Sequence, residues 1–246
     1  MAFRLGFLLL TLTLAANGTA APFVPRADDE VLERLPAKPA DPAMREIKEL
    51  RAELSRNPQN LDLALRLARR YFEQALAQGD PRYVGYAQAA LKPWWDLPRP
   101  PTPVLVMRAT LIQYRHDFSG ALDDLARALE RDPADARAWS MRAVIHLVQA
   151  DYDESRRDCT KLAPLVENAI AAGCIAYIDG LTGHARQSHD VLSRVLAQST
   201  DISVEQKLWL LTRLAEMAWR LDDPKLAEKY FKRALALDVT DGFLLA

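Results

Sequence analysis

Small residues return at a fixed interval along most of this chain, and that interval constrains the fold more than any other feature. One set is Ala68, Ala109, Ala143, Ala176 and Ala215; a second is Ala87, Ala121, Ser155, Ser188 and Ala227. Twelve residues separate Ala109 from Ala121, a gap repeated in four of the five pairs, and 34 separate Ala109 from Ala143. Four residues after each second-set position stands Leu91, Leu125, Cys159, Leu192 or Phe231, and three further on Trp94, Ala128, Leu162, Val195 or Ala234. Such i, i+4, i+7 spacing marks one face of a helix. The period therefore predicts two helices per unit. In the clearest unit they run over 104–115 and 119–130, with Asp117-Phe118-Ser119-Gly120 as the turn and Asp132-Pro133 as the stop. Small residues are needed where the paired helices cross closely. One unit cannot bury its apolar face alone, so units must stack.

The pattern resembles the tetratricopeptide repeat family. Ala109, Ala121, Leu125, Ala128 and Pro133 carry the resemblance in one unit, Trp139, Ala143 and Tyr152 in the next, and Ala215, Ala227, Phe231 and Ala234 near the end. The resemblance implies an all-α fold, a right-handed α-solenoid of stacked helix-turn-helix repeats. It covers about 61–241, five repeats, with a lone leading helix at 42–56. Three departures stand out: a seven-residue insert around Gly79-Asp80-Pro81, a five-residue insert before the last unit, and Val239 where the family prefers Pro. The stretch from Arg82-Tyr83-Val84-Gly85-Tyr86-Ala87 to Pro93-Trp94-Trp95 is similar to a signature of a subgroup of exported bacterial repeat proteins. The solenoid is expected to occupy 42–246. Its apolar end, Gly242-Phe243-Leu244-Leu245-Ala246, reads as a further repeat cut short.

The first residues read as an address. Arg4 precedes an apolar run from Leu5 to Ala16, and Asn17-Gly18-Thr19-Ala20 supplies small residues for cleavage. This is the layout of a secretory signal peptide, 1–20, cut after Ala20; cutting after Ala21 would leave Pro22 beside the scissile bond. An uncleaved anchor is the other reading, although the run is short for a hydrocarbon core about 30 Å thick. Residues 21–41 hold Pro22, Pro25, Pro36 and Pro39 and no sustained period, so they are expected to form a flexible leader. Asp41 can cap the first helix, with Pro42 at its first position. The expected location is the periplasm or outside the cell, without stable membrane insertion after cleavage. Thirty-two basic against 33 acidic residues leave a formal charge of −1, which gives no electrostatic case for nucleic acid.

No enzyme or cofactor motif is found: no Gly-rich phosphate loop, no G-x-S-x-G, no H-E-x-x-H, no C-x-x-C. Cys159 and Cys174 fall on adjacent helices of an exported chain and are expected to form a disulfide; two buried free thiols are the alternative. His184 and His189 do not share a helix face, His116 sits in a turn, and His146 takes a packing position. Asp28-Asp29, Asp123-Asp124 and Asp222-Asp223 are assigned to the leader, to an exposed helix face and to a turn. Pro93 to Pro101 reads as a rigid corner plugged by Trp94 and Trp95, rather than as a Pro-rich ligand.

The resemblance implies a concave groove lined by the first helix of each unit. By register its candidates are Gln113, Tyr114, Arg137, Ser140, Tyr177, Trp209, Thr212, Glu216, Trp219 and Arg220. Aromatics beside Arg are the usual makings of a binding hot spot. Trp209 and Arg220, eleven residues apart, should share a face and bind, while Trp219 should pack. Val106, Thr110, Ser140 and Val144 stand where members that bind chaperone tails carry Lys and Asn, so that mode is disfavoured. The expected function is a non-catalytic scaffold or assembly adaptor gripping a protein segment. The runner-up is a small-molecule or glycan-binding protein using the aromatic end.

Overall fold

Helix α1, Pro42–Arg56, begins where a cap is available: Asp41 Oδ1 accepts the Ala43 N–H at 2.9 Å. The computed structural model describes residues 41–237, plus Ala27 and Val239 singly. The expected signal peptide (1–20), the expected leader apart from Ala27 and Asp41, and the apolar end at 242–246 lie outside the described residues. From Asp41 onward the chain is a unit of its own.

Five helical hairpins follow α1. They are α2 Leu61–Gln78 with α3 Arg82–Ala90, α5 Thr102–Tyr114 with α6 Phe118–Arg131, α7 Ala136–Val148 with α8 Tyr152–Leu162, α9 Asn168–Leu181 with α10 Ala185–Gln198, and α11 Val204–Arg220 with α12 Pro224–Leu235. A single turn, α4 Lys92–Trp95, stands between the first and second hairpins. No strand occurs among the described residues. Each hairpin packs on the next, and first helices also touch, α2 with α5, α5 with α7 and α9 with α11.

All ten small-residue positions are buried. At the α7–α8 crossing the small residue is a serine, and Ser155 Oγ donates to the Ala143 carbonyl at 2.8 Å, so its hydroxyl is not orphaned. Inserts are absorbed by length. The seven extra residues lengthen α2 to 18, against 13 in α5, and Gly79 closes it in the left-handed region at φ 63°. The later insert lengthens α11 to 17 residues, started by a reciprocal cap between Ser203 and Gln206. Cys159 and Cys174 are bridged, with Cα atoms 5.8 Å apart, tying α8 to α9.

The corner after α4 is fastened by arginines. Arg108 donates to the Trp95 carbonyl, Arg127 to that of Pro98 at 3.0 Å, and Arg131 to that of Pro100 at 2.6 Å. Trp95 is buried and Trp94 packs partly buried against the first core cluster.

One assignment needs correcting. Asp124 is not on an exposed face: it is buried, and Arg108 grips it with two bonds, Nε to Oδ2 at 2.6 Å and Nη2 to Oδ1 at 2.5 Å. This bond holds the Arg108 guanidinium above its usual pKa. One period later Arg142 grips buried Asp158 in the same way, at 2.9 and 2.5 Å. A charge at that depth persists only when paired, so the pattern forms where both partners occur.

Candidate functional site

Helix α5 is apolar nearly all round: Val104, Leu105, Val106, Met107, Ala109 and Leu111 are all buried. A helix with one partner-facing stripe needs only one apolar face. The second apolar face of α5 forms the floor of a concave cavity of about 490 Å³. Leu65 and Phe72 of α2 supply one wall, Met141 and Val144 of α7 another. Leu162, Val166 and Ile170, at the connector between α8 and α9, close a third side. That connector lies inside the loop bridged by Cys159–Cys174. Thr110, Gln113, Arg137 and Ser140 add polar atoms, although Thr110 Oγ1 is already bonded to the Val106 carbonyl at 2.9 Å.

Of the ten sequence candidates, Gln113, Arg137 and Ser140 line this cavity. Tyr114 stands at its edge, half-buried, its ring meeting Phe72 edge-on at 5.7 Å. The other six gather further along the chain, on α9 and α11, and do not form one site with these three. Tyr177 lies under the Arg213 guanidinium, 4.4 Å from the ring centre. Burial pushes its phenol above the ordinary value, and Arg213 opposes the shift. Glu216 pairs with Arg213 at 2.9 Å, and Thr212 Oγ1 turns back to the Trp209 carbonyl at 2.8 Å. Glu216 Oε1 and Thr212 Oγ1 are thus engaged with neighbours of their own, while Glu216 Oε2 and Arg213 Nε are buried with no hydrogen-bond partner among the described residues.

The two tryptophans exchange their expected surroundings. Trp209 packs against Gly173 of α9, so closely that a Cβ there would lie 2.6 Å from Trp209 Cζ3. Trp219, expected to pack, is 67% exposed, and Arg220 beside it is exposed too. The eleven-residue spacing does not place Trp209 and Arg220 on one open face, because α9 covers the Trp209 side.

What sequence reasoning missed is the apolar floor. Register places Val106, Thr110, Ser140 and Val144 in the groove, as the structure does, but marks them only as positions lacking Lys and Asn. The signal was the run Val104-Leu105-Val106-Met107, which leaves α5 no polar face. His146 lies between Asp151 at 3.7 Å and Asp158 at 3.9 Å, a packing site in the third hairpin. Among the described residues no three of His, Cys, Asp or Glu gather as metal ligands, and no helix is long and apolar enough to cross a membrane.

Residues 106–170 match the family model described as tetratricopeptide repeat. No curated protein sequence matches the chain. Among solved structures it is similar to the APC/C hetero-tetramer Cut9-Hcn1, with TM-score 0.58 at 16% identity over 79% of this chain and 35% of that one. It is also similar to TTC0263, a thermophilic TPR protein of Thermus thermophilus, with TM-score 0.52 at 14% identity over 70% and 90% of the two chains. BtubC (BKLC) from P. vanneervenii gives TM-score 0.51 at 14% identity over 80% and 88%. The chain thus spans about a third of the first of these relatives and most of the other two. At such identities the likeness concerns the fold, an α-solenoid of tetratricopeptide-type hairpins.

Proposed function

We propose that this chain is a non-catalytic interaction scaffold of the cell envelope, gripping a segment of another protein in the groove of α2, α5 and α7. Solenoids of this type are in general protein-interaction scaffolds. The observation that carries the reading is the exposed apolar wall: Val144, 45% exposed, lines the same cavity as the buried Val106 and Met107 of its floor, and the cavity is large enough for several side chains. A solvent-facing apolar concavity costs free energy unless something covers it. Export is supported by the composition of residues 1–20 and by the disulfide, which is at home in an oxidising compartment.

The glycan or small-molecule reading rests on a closed pocket at the aromatic end. Trp219 stands open to solvent there and Trp209 is used for packing, so the groove is the better-supported site.

Val144→Arg is the direct test. The position is exposed, so the fold should tolerate the longer side chain while its guanidinium fills the groove. Capture from envelope extract should lose the partner retained by the intact protein, with unchanged melting. Full capture by Val144→Arg and by Met141→Arg would overturn the groove assignment.

A further inference from the structure

Helix α2 separates two cavities. Leu65, Arg69 and Phe72 face the groove, while Leu67 and Tyr71, two residues on from Leu65 and Arg69 and so about 200° round the helix, face a second cavity of about 940 Å³ between α1, α2 and α3. Three tyrosines form its aromatic wall. Tyr71 lies 6.2 Å from Tyr83 and 5.6 Å from Tyr86, and those two meet edge-on at 5.8 Å. Tyr71 is buried and anchors the cluster; Tyr86 is 51% exposed.

The charge around this wall has one sign. Lys48 and Arg51 of α1 line the cavity, and no carboxylate among the described residues does. Neither cation is ion-paired among the described residues, whereas nearby Arg70 is held by Glu46 and Glu73, and Arg82 by Asp80. Burial raises the Tyr71 phenol above its usual pKa and Arg51 opposes that shift, so the cation is close enough to act on the cluster. Gly85 adds a second peculiarity. It lies inside α3, where glycine weakens a helix, yet a Cβ there would meet nothing within 4 Å. It stands one turn before Ala89, which lines the cavity, and is itself exposed.

We infer that the cavity between α1, α2 and α3 is a second interaction site, taking an acidic segment of another protein whose carboxylates meet Lys48 and Arg51 while its apolar side chains lie on Tyr83 and Tyr86. Tyrosine gives large contact area for little lost side-chain freedom, and tyrosine and arginine are both enriched among binding hot spots. Among the described residues these cations are unpaired and no carboxylate lines the cavity, a combination that complements an anionic partner. A concave site admits a protruding segment and excludes a flat anionic bilayer. This site does not depend on the groove reading, because the two cavities use opposite sides of α2.

The test uses the full chain and two short blocked peptides, one alternating glutamate with leucine, the other lysine with leucine. Ring resonances of Tyr83 and Tyr86 report binding. The glutamate peptide should bind about tenfold tighter than the lysine peptide, and Lys48→Glu with Arg51→Glu should reverse that order. Tyr86→Ala should weaken the glutamate peptide about tenfold. Val144→Arg should leave its binding unchanged. The inference fails if neither ring responds, if charge reversal leaves the preference intact, or if Val144→Arg abolishes binding. It fails equally if anionic vesicles bind and the peptide does not, or if the surface is covered by a second copy, seen as self-association lost in Tyr86→Ala.

Discussion

The groove of α2, α5 and α7 and the aromatic end formed by α9 and α11 use equivalent helical positions in opposite ways. Behind the groove, first and second helices are joined by the buried pairs Arg108–Asp124 and Arg142–Asp158. At the matching places of the next hairpin stand Ile175 and Val191, and of the last, Leu214 and Tyr230. The groove leaves an apolar cavity unfilled, with Val144 exposed on its wall; the aromatic end fills its own space, with Trp209 seated on Gly173. The difference teaches that an aromatic-rich helix is not thereby a binding surface. An apolar side chain becomes a site only where no neighbouring helix is close enough to cover it.

The comparison breaks first, and most heavily, at the buried pairs. Arg142→Ala leaves Asp158 charged and buried, with His146 at 3.9 Å too distant to bond it. The expected loss is about 3–5 kcal/mol by urea denaturation. The double change Arg142→Ile with Asp158→Val copies the next hairpin and should fall within about 1 kcal/mol of the parent, since apolar replacement of a buried pair is often neutral. A loss below about 1 kcal/mol for Arg142→Ala alone would show that the pair does not distinguish the two regions.

At the aromatic end the large effect belongs to Trp209. Trp209→Ala should cost about 3 kcal/mol, as for a tryptophan lost from packing. Equal melting of Trp209→Ala and parent would return Trp209 to the open binding residues.

The bridge joins the two regions, and removing it should cost nearly as much. Replacing Cys159 and Cys174 together by Ser releases a constraint across a sequence separation of 15 residues. About 3 kcal/mol is expected in the chain-entropy account. Because Leu162, Val166 and Ile170 lie within that loop, groove capture should weaken as well. Two free thiols in the unreduced, denatured protein would show that the bridge does not form.

Gly173→Ala comes next: the new methyl must displace Trp209 or Leu210, for about 1–3 kcal/mol. The smallest effect falls on Trp219→Ala, below about 0.5 kcal/mol at so exposed a position. A larger loss there, by thermal melting, would mean that the exposed indole is covered in solution.

What the sequence determined by itself is the repeat. The alanines and serines at the crossings and the turn at Asp117 follow from the 34-residue register, the capped start at Asp41 from the Asp41-Pro42 pair, and the pairing of Cys159 with Cys174 from their places on adjacent helices. In a solenoid each helix meets mainly its neighbours in sequence, so a local period dictates most contacts. The tertiary structure decided everything that depends on the third helix in each contact. Trp209 and Trp219 sit ten residues apart on one helix, and nothing in their residue type says that α9 covers the first and leaves the second in water. Asp123 and Asp124 are likewise adjacent and alike, yet only Asp124 finds an arginine in the core. The floor of the groove was hidden for the same reason. An apolar side chain reads identically whether it is destined for a core or for an open cavity, and only the distance to the next helix tells them apart.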